Sequence, residues 1–336
     1  MKVADMHCDT IGEIYENRLL GNNYNLKENN FHVDISKLTK GEYLLQNFAM
    51  FIDIKKHKNP YKTLQEMIAV YYEELEANKD IIKPVYSYED ICKCEKENKI
   101  AALLTIEDAG ALEGSLENLK TVYNQGVRLI TLTWNHINGV GFPNFKIKID
   151  TCGNITEKPD FTTPNTDFGL TAFGVELVRE MENLGVIVDV SHLSDAGFYD
   201  VLKYSKKPFV ASHSNARVVT NVVRNLTDDM IKKLADKGGV TGINFCSDFV
   251  KPTPHTDLTF TYIEDLVKHI KHIKNIGGID VIALGTDFDG IKSTLEINDA
   301  SKIQLLAQAL LKNGFTYDEV EKIFYKNIIS LYKELL

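Results

Sequence analysis

The chain of 336 residues lacks several features that would place it in other protein classes. Its 38 Lys and Arg residues are outnumbered by 47 Asp and Glu, and the formal net charge of -9 predicts no basic surface for a nucleic-acid partner. No apolar stretch approaches the ~20 residues that span a bilayer, so we expect no membrane partner. The first apolar run ends near residue 7. This leaves no room for a secretion signal, and we expect a cytoplasmic protein.

Cysteine is scarce as well. The 5 cysteines are odd in number and unevenly spaced, which argues against a disulfide framework. The spacing of Cys92 and Cys94 would suit a zinc site only if the chain were extended there. Residues 87–99 have a helical pattern instead, which turns the two side chains about 200° apart. We therefore interpret this segment as a surface helix.

Short apolar runs alternate with longer helical patterns along the whole chain, and no repeat or Pro/Gly-rich linker divides it. This pattern predicts a single α/β domain over residues 1–336, a TIM-like (β/α)8 barrel with additional C-terminal helices. A doubly wound open sheet in two domains is the alternative. The candidate strands are 3–9, 43–53, 100–107, 127–134, 186–192, 208–213, 239–245 and 281–287. The candidate helices include 62–78, 115–125, 168–184, 194–204, 227–237 and 260–274, and residues 135–166 form a candidate active-site loop.

Residues of the types that bind metals end several of these apolar runs. His7 and Asp9 follow the first run, and residues two apart on a strand point to the same side, so both could bind one ion. Imidazole with carboxylate suits zinc. Barrel active sites lie at the C-terminal ends of the strands, where all these side chains would meet. The full set is His7, Asp9, Glu107, His192, His213 and Asp287.

Two cations could share the two oxygens of Glu107. A pair of ions about 3.5–4 Å apart lowers the pKa of a shared water and polarises the bond that it attacks. Hydrolysis is therefore the chemistry that this set of residues favours.

The same residues lie in motifs that resemble those of the renal (membrane) dipeptidase family. The resemblance runs in order from residue 3 to the end of the chain, and the Ser-His-Ser, Arg-Asn and Asp-Phe-Asp-Gly blocks are its most specific parts. The matching motifs are Met6-His7-Cys8-Asp9-Thr10, Thr105-Ile106-Glu107, Leu132-Thr133-Trp134-Asn135, Asp189-Val190-Ser191-His192, Ala211-Ser212-His213-Ser214-Asn215-Ala216-Arg217, Arg224-Asn225-Leu226-Thr227-Asp228-Asp229 and Gly285-Thr286-Asp287-Phe288-Asp289-Gly290.

The resemblance implies a barrel that holds two zinc ions and cleaves dipeptides with a hydroxide that bridges the ions. The implied ligands are His7 and Asp9 for the first zinc, His192 and His213 for the second, and Glu107 for both. Arg224 matches the arginine that binds the free carboxylate of the substrate, a task that suits a planar guanidinium. Asp287 matches the aspartate beside the bridging water, where it could hold the α-amine and carry a proton to the leaving nitrogen.

Two positions depart from the family pattern, and one of them is Cys246, where many members have an aromatic residue near the pocket. Many members have a histidine that stabilises the oxyanion where this chain has Trp134, which offers one N–H donor and no titrating nitrogen. Trp134 or the nearby His136 would then bind the substrate here and stabilise its oxyanion, or the zinc ions alone would stabilise it.

Two further interpretations remain open. One is a different barrel metallohydrolase, such as a deaminase or phosphotriesterase. Those enzymes resemble each other in having His-x-His on the first strand, whereas this chain has His7-x-Asp9. A metal-stabilised binding protein without turnover would share every ligand. A homodimer is compatible with the sequence, and the preferred dipeptide is undetermined. His269 and His272 lie on a Lys-rich helical pattern, which we interpret as a solvated face.

Overall fold

The structure of the protein is a computed structural model that describes residues 1–146, 160–251 and 260–336. Eight parallel strands form a closed ring in it, each paired with the next along the chain and the last paired with the first. In chain order they are Val3–Asp5, Tyr43–Phe51, Ile100–Glu107, Val127–Thr131, Ile187–Asp189, Val210–Ala211, Val240–Ile243 and Ile282–Leu284. Closure of the ring confirms the TIM-like barrel and excludes the open sheet.

Helices surround the ring and continue past its last strand, as the sequence predicts. They are Thr10–Leu19, Ile35–Lys40, Pro60–Ala77, Tyr88–Lys96, Leu116–Asn124, Ala172–Leu184, Asp195–Tyr204, Asp228–Asp236, Ser247–Val250, Ile263–Gly277, Gln304–Lys312, Tyr317–Glu321 and Asn327–Leu335. None of the helices in the described ranges combines the length and apolar character that a membrane span requires. Short strands outside the ring are Ile82–Pro84, Phe145–Lys146, Asp160–Pro164, Phe260–Thr261 and Thr294–Leu295.

Side-chain caps begin several of these helices where the sequence predicts them. Ser194 and Thr227 each accept a hydrogen bond from a backbone N–H three residues further on. Thr316 and Glu319 form a reciprocal capping box. Ser87 caps the helix Tyr88–Lys96, which confirms that the Cys92-x-Cys94 segment is helical.

Two layers of apolar side chains show which face of the third barrel strand points into the ring. Ala101 and Leu103 belong to an inner cluster within the ring, whereas Ile100 and Leu104 belong to the outer cluster under the helices. Because side chains alternate along a strand, Glu107 continues the inner face. The C-terminal helix adds Tyr332 to the inner cluster and closes the opposite end of the barrel. Glu107 therefore projects into the barrel at its C-terminal mouth.

All barrel strands except the third end before the predicted residue. The first, for example, ends at Asp5, so His7 and Asp9 lie on the connection that follows it rather than on the strand. Two ligand candidates on such connections adopt left-handed backbone, with φ +67° at His192 and +63° at Asp287. A non-glycine residue in that region costs of order 1–3 kcal/mol and is found where side chains must be aimed. The connections turn these side chains over the barrel mouth.

Three predictions fall on residues that lack a described structure. Residues 147–159 of the predicted loop 135–166 lie outside the described residues, as do Cys152 and His255. The described part of the loop forms the antiparallel pair Phe145–Lys146 and Asp160–Pro164.

The predicted solvated face of the helix Ile263–Gly277 is wrong for His269. Its side chain is fully buried, at 0% exposure, against the loop that follows the sixth barrel strand. His272, one turn further on, is partly exposed and pairs with Asp228. His269 lies three residues after Leu266 and four before Ile273, so it shares the buried face of the helix.

Candidate metal centre and active site

Four side chains converge at the centre of the barrel mouth: Glu107 on the third strand, and His7, His192 and His213 on the connections after the first, fifth and sixth strands. Glu107 Oε1 lies 3.0 Å from His192 Nε2 and 3.6 Å from His213 Nε2. Its other oxygen, Oε2, lies 3.4 Å from His7 Nε2. The two oxygens of one carboxylate thus face two different groups of nitrogen ligands. This is the geometry expected of a carboxylate shared by two cations.

Two further carboxylates lie beside His7. Its Nε2 atom is 3.3 Å from Asp9 Oδ2 and 3.9 Å from Asp287 Oδ1. All of these side chains are at most 8% exposed. Their donor atoms form three overlapping sets, each within 4.8 Å: His7, Asp9 and Glu107; Glu107, His192 and His213; and His7, His213 and Asp287.

Hydrogen bonds on the outer nitrogens fix which way the imidazoles of His192 and His213 face. His213 Nδ1 lies 2.6 Å from Ser212 Oγ, whose own proton goes to Asp189 Oδ2 at 2.5 Å, so His213 must donate. His192 Nδ1 lies 3.1 Å from the Asn135 side-chain oxygen and donates to it. With both protons on Nδ1, both Nε2 lone pairs point to the centre.

The inner nitrogens are then arranged for a cation rather than for each other. His192 Nε2 and His213 Nε2 lie 3.2 Å apart, and two lone pairs at that distance repel unless a positive ion lies near them. Burial lowers the pKa of His192 to about 4, and Arg224 adds to the effect, so protonation does not relieve the repulsion. His7 Nε2 and Asp9 Oδ1 are buried without a hydrogen-bond partner anywhere in the described ranges. These atoms fit divalent cations.

Arg224 lies at the edge of the same mouth and is 5% exposed. Its Nη1 group donates to Ser214 Oγ at 2.6 Å, and its guanidinium lies 5.5 Å from the centre of the Phe249 ring. The Nε and Nη2 groups find no acceptor in the part of the chain that the structure describes. A buried guanidinium with donors to spare is suited to a planar anion such as a carboxylate.

Asp287 lies beside His7, on the connection after the eighth strand. Asn244 Nδ2 donates to its Oδ2 at 2.8 Å, while its Oδ1 faces His7. Burial raises the pKa of Asp287 to about 7, an effect that His7 opposes and Asp9 strengthens. This carboxyl group can hold or release a proton near neutral pH in the absence of a bound cation.

Trp134 and His136 lie on the connection after the fourth strand. The Trp134 ring is 6.2 Å from His192 and 4.8 Å from Phe51, and it is partly exposed at the rim. His136 Nε2 is 3.1 Å from Asp53 Oδ1, which occupies that nitrogen. Trp134 thus lines the mouth next to a candidate ligand, and His136 lies behind it at a ring distance of 5.2 Å.

Comparison with known proteins places this arrangement in a family. The family model of the membrane dipeptidases, peptidase family M19, matches residues 1–335. The chain belongs to the membrane dipeptidase family. Because the members of this family are metallo-dipeptidases, the chain is a metal-dependent enzyme that hydrolyses dipeptides.

Individual relatives of this dipeptidase cover most of the chain. An uncharacterised protein of Klebsiella pneumoniae is 31% identical over 277 residues, covering 82% of this chain and 97% of its own. An uncharacterised dipeptidase of Schizosaccharomyces pombe is 30% identical over 318 residues, covering 90% of this chain and 72% of its own. A crystal structure of the metallopeptidase dipeptidase AC has a TM-score of 0.88 at 23% identity and covers 100% of this chain and 98% of its own.

Several neighbours of the dipeptidase site were absent from the sequence prediction. Asp189 and Ser212 orient His213, and the motifs Asp189-Val190-Ser191-His192 and Ala211-Ser212-His213 already contained both. Asn135 follows Trp134 in a third motif. No sequence signal pointed to Asn244, because it lies in no motif and meets Asp287 only through the pairing of neighbouring strands.

Two further carboxylates, those of Asp5 and Asp289, accept hydrogen bonds that support the connections around the site. Asp5 lies below His7 and accepts hydrogen bonds from the backbone N–H and hydroxyl of Thr286 at 2.9 and 2.6 Å. Asp289 accepts from the Thr10 hydroxyl and the His32 backbone, so it joins loops rather than facing the ligand group.

Proposed function

We propose that the dipeptidase binds two zinc ions and hydrolyses the peptide bond of dipeptides in a binuclear site. The observation that carries this proposal is the division of the Glu107 oxygens between His7 on one side and the pair His192 and His213 on the other. His7, Asp9 and Glu107 would hold one ion, and Glu107, His192 and His213 the other. Two such ions, when bound, would activate a water shared as hydroxide and polarise the substrate carbonyl.

Zinc is supported by the chemistry of the ligands. Each group of three combines imidazole nitrogen with carboxylate oxygen, a mixture that suits zinc better than magnesium or calcium, which prefer oxygen alone. Three protein ligands per ion also leave positions for water and substrate, as catalytic zinc sites require.

Arg224 and Asp287 would hold the two ends of the substrate. The Nε and Nη2 groups of Arg224, which have no acceptor within the described residues, are available for the C-terminal carboxylate. Asp287 is available for the α-amine. Fixing both termini leaves one peptide bond over the metal ligands, so dipeptides fit and longer peptides do not. A bound dipeptide would also make the Arg224 burial favourable, because the guanidinium gains a partner for its charge.

Asp287 is also placed to move the proton. Its Oδ1 faces the ligand group beside His7, while Asn244 holds its Oδ2 and so fixes the direction of the carboxyl group. A carboxylate there can take a proton from the attacking water and deliver it to the leaving nitrogen. Asn244 keeps the acceptor atom turned toward the reacting bond.

The stereochemistry at the second residue is a further part of the proposal. A crystal structure of a Rhodobacter sphaeroides metallopeptidase, 22% identical with a TM-score of 0.87, contains a phosphinate mimic of the dipeptide L-Ala-D-Ala. We infer that this dipeptidase accepts a D-residue at the C-terminal position, since Arg224 selects the carboxylate rather than the side chain beside it.

The test combines metal content with substrate length. Purified enzyme loaded with zinc is assayed on L-Ala-L-Ala, L-Ala-D-Ala, L-Ala-L-Ala amide and tri-alanine, with EDTA-treated enzyme as the control. We expect two zinc ions per chain, cleavage of both dipeptides, only slow residual cleavage of the amide, and loss of cleavage on the tripeptide and after EDTA. Equal rates on the dipeptide and its amide would refute the clamp. Full activity with one ion per chain would refute the binuclear site.

A further inference from the structure

His269 lies outside the ligand group, on the helix Ile263–Gly277, yet it is fully buried and makes directed hydrogen bonds at both ring nitrogens. The backbone N–H of Ala216 donates to Nδ1 at 3.1 Å. Nε2 lies 3.2 Å from the Val250 carbonyl, which can only accept. The proton of this imidazole is therefore on Nε2. Burial lowers the pKa of His269 to about 4, which keeps the ring in this neutral form.

Both partners of His269 lead to Arg224. Ala216 follows Ser214 by two residues on the same loop, and Ser214 accepts the hydrogen bond of Arg224 Nη1. Val250 follows Phe249, whose ring lies beneath the Arg224 guanidinium at 5.5 Å. One imidazole thus ties together the hydrogen-bond acceptor of Arg224 and the aromatic ring on which it rests.

A third connection runs through Thr220. Its hydroxyl donates to the Val250 carbonyl at 2.8 Å and lies 3.3 Å from His269 Nε2. The neighbour of Arg224, Asn225, donates from Nδ2 to the carbonyls of Thr220 and Phe249 at 3.0 and 2.8 Å. The backbone at Arg224 is therefore held by the same segment that His269 anchors.

The opposite side of this loop has a separate support. Arg217 makes a bidentate pair with Asp195 at 2.7 and 2.8 Å and donates to the carbonyls of Val223 and Asn225. That pair acts on the outer side of the loop, toward the helix Asp195–Tyr204. His269 is the support on the inner side, between the loop and the segment that carries Phe249.

We propose that His269 is a positioning residue for substrate recognition: it fixes the loop 214–226 and the Phe249–Val250 segment so that Arg224 points at the substrate carboxylate. This inference rests on the proposed function of Arg224. It predicts that loss of His269 weakens recognition of the free carboxylate while the metal ligands, which lie on other connections except for His213, keep their geometry.

The test uses three substitutions that separate the two hydrogen bonds. His269→Leu removes both, His269→Asn retains an acceptor near the Nδ1 position, and His269→Gln retains a donor near the Nε2 position. His272→Leu is the matched control, because it removes a partly exposed imidazole from the same helix. Each zinc-loaded protein is assayed on L-Ala-L-Ala and on its C-terminal amide, and its Tm is measured.

For His269→Leu we expect KM for L-Ala-L-Ala to rise at least about tenfold, the scale on which supporting residues act, with a smaller change in kcat. The slow cleavage of the amide should not change, so the preference for the free acid falls. His269→Asn and His269→Gln should each restore part of that preference, and His272→Leu should keep it. A purely structural role would lower Tm and reduce cleavage of both substrates by the same factor, which would overturn the inference.

Binding separates this inference from the proposed function. Trp134, the single tryptophan of the chain, lies 6.2 Å from His192 and reports occupancy of the site by fluorescence. A phosphinate mimic of L-Ala-D-Ala is titrated into the wild type and His269→Leu. A wild type that binds and cleaves beside a His269→Leu variant with unchanged Kd and unchanged acid preference refutes only the positioning role. A wild type that neither binds nor cleaves refutes both.

Discussion

Replacing Glu107 by glutamine tests the shared-ligand geometry directly. The substitution keeps the length and shape of the side chain but turns one oxygen into an NH₂ group, which cannot bind a cation. One oxygen of Glu107 faces His192 at 3.0 Å and the other faces His7 at 3.4 Å. Whichever way the amide turns, one of the two groups loses a ligand. We therefore expect one of the two ions to be lost.

The expected magnitude follows from the number of remaining ligands. Removing a residue that only supports a ligand typically costs about 10- to 100-fold in metal affinity. Loss of a ligand should exceed the upper end of that range, or ~2.8 kcal/mol at about 1.4 kcal/mol for each factor of ten. The weakened group would keep only two protein ligands, so activity should fall with the second ion, by about 100-fold or more.

The assay measures the metal content of the dialysed protein. Zinc is then titrated into the protein, with the fluorescence of Trp134 as the readout of binding. Glu117→Gln is the matched control, because it makes the same chemical change on an exposed helix position. We expect the control to retain two ions and full turnover. A Glu107→Gln protein with two tightly bound ions and normal kcat would show that the two oxygens do not serve two ions, and the binuclear proposal would fail with it.

Three further predictions concern the surroundings of the site. Trp134→Phe should keep most of kcat and shift side-chain preference. If the imidazole of His136 stabilises the oxyanion, His136→Ala should lose about 100- to 1,000-fold in kcat. An inactive Trp134→Phe variant beside an active His136→Ala variant would instead assign oxyanion stabilisation to the indole N–H of Trp134. Asp189→Asn should weaken zinc binding by about 10- to 100-fold, measured by zinc titration, because Ser212 no longer holds His213; unchanged affinity would contradict this. Because the pKa of His269 is about 4 when folded and ~6.5 when unfolded, only the unfolded chain gains a proton as pH falls from 6.5 toward 4. Between pH 7 and pH 5, the free energy of unfolding measured by urea titration should therefore drop by about 2 kcal/mol more in the wild type than in His269→Asn. Parallel curves of this free energy against pH would refute the lowered pKa of His269.

The barrel could be predicted because its signals are repeated. Eight apolar runs separated by helical patterns fix a parallel sheet, and closure follows from the number of strands. The third strand was predicted with its observed bounds, residues 100–107, because only Thr105 interrupts its apolar run before the acidic residue that ends it. The other strands are shorter than their apolar runs, and those that lead to His7, His192, His213 and Asp287 leave the sheet before these residues.

The meeting of His7 and Asp9 was predicted correctly, although the strand on which the argument relied ends at Asp5. Ala4 and Met6 belong to the inner cluster, while Cys8 belongs to the outer one, so simple alternation breaks near the bend at Met6. The two side chains meet because the connection remains extended, with Cys8 bridged to Phe288 of the last connection. Periodicity does not reveal where such a break falls, because the pairing partner is 280 residues away in the chain.

The burial of His269 was available in the sequence and was missed. Adjacent Lys268 and the lysines at 271 and 274 suggested a charged face, but neighbours in sequence are about 100° apart on a helix. The relevant neighbours are three or four residues away, Leu266 and Ile273, and both are apolar and buried. By contrast, the left-handed backbone at His192 and Asp287 has no signature in the residue types, because glycine would have been the expected choice.

Glu107 differs from the other ligand candidates in how it is held, and this difference explains the design of the site. It is the last residue of a strand that is paired on both sides, with Phe51 opposite it on one neighbour and Thr131 on the other. A shift of that strand by one residue would move Glu107 to the outer face of the ring. The remaining candidates lie on connections whose backbone can turn individually. In the proposed binuclear site, the shared ligand would therefore be the one fixed by the sheet, and the loop-borne ligands on either side of it could adjust to two ions without moving the oxygen atoms between them.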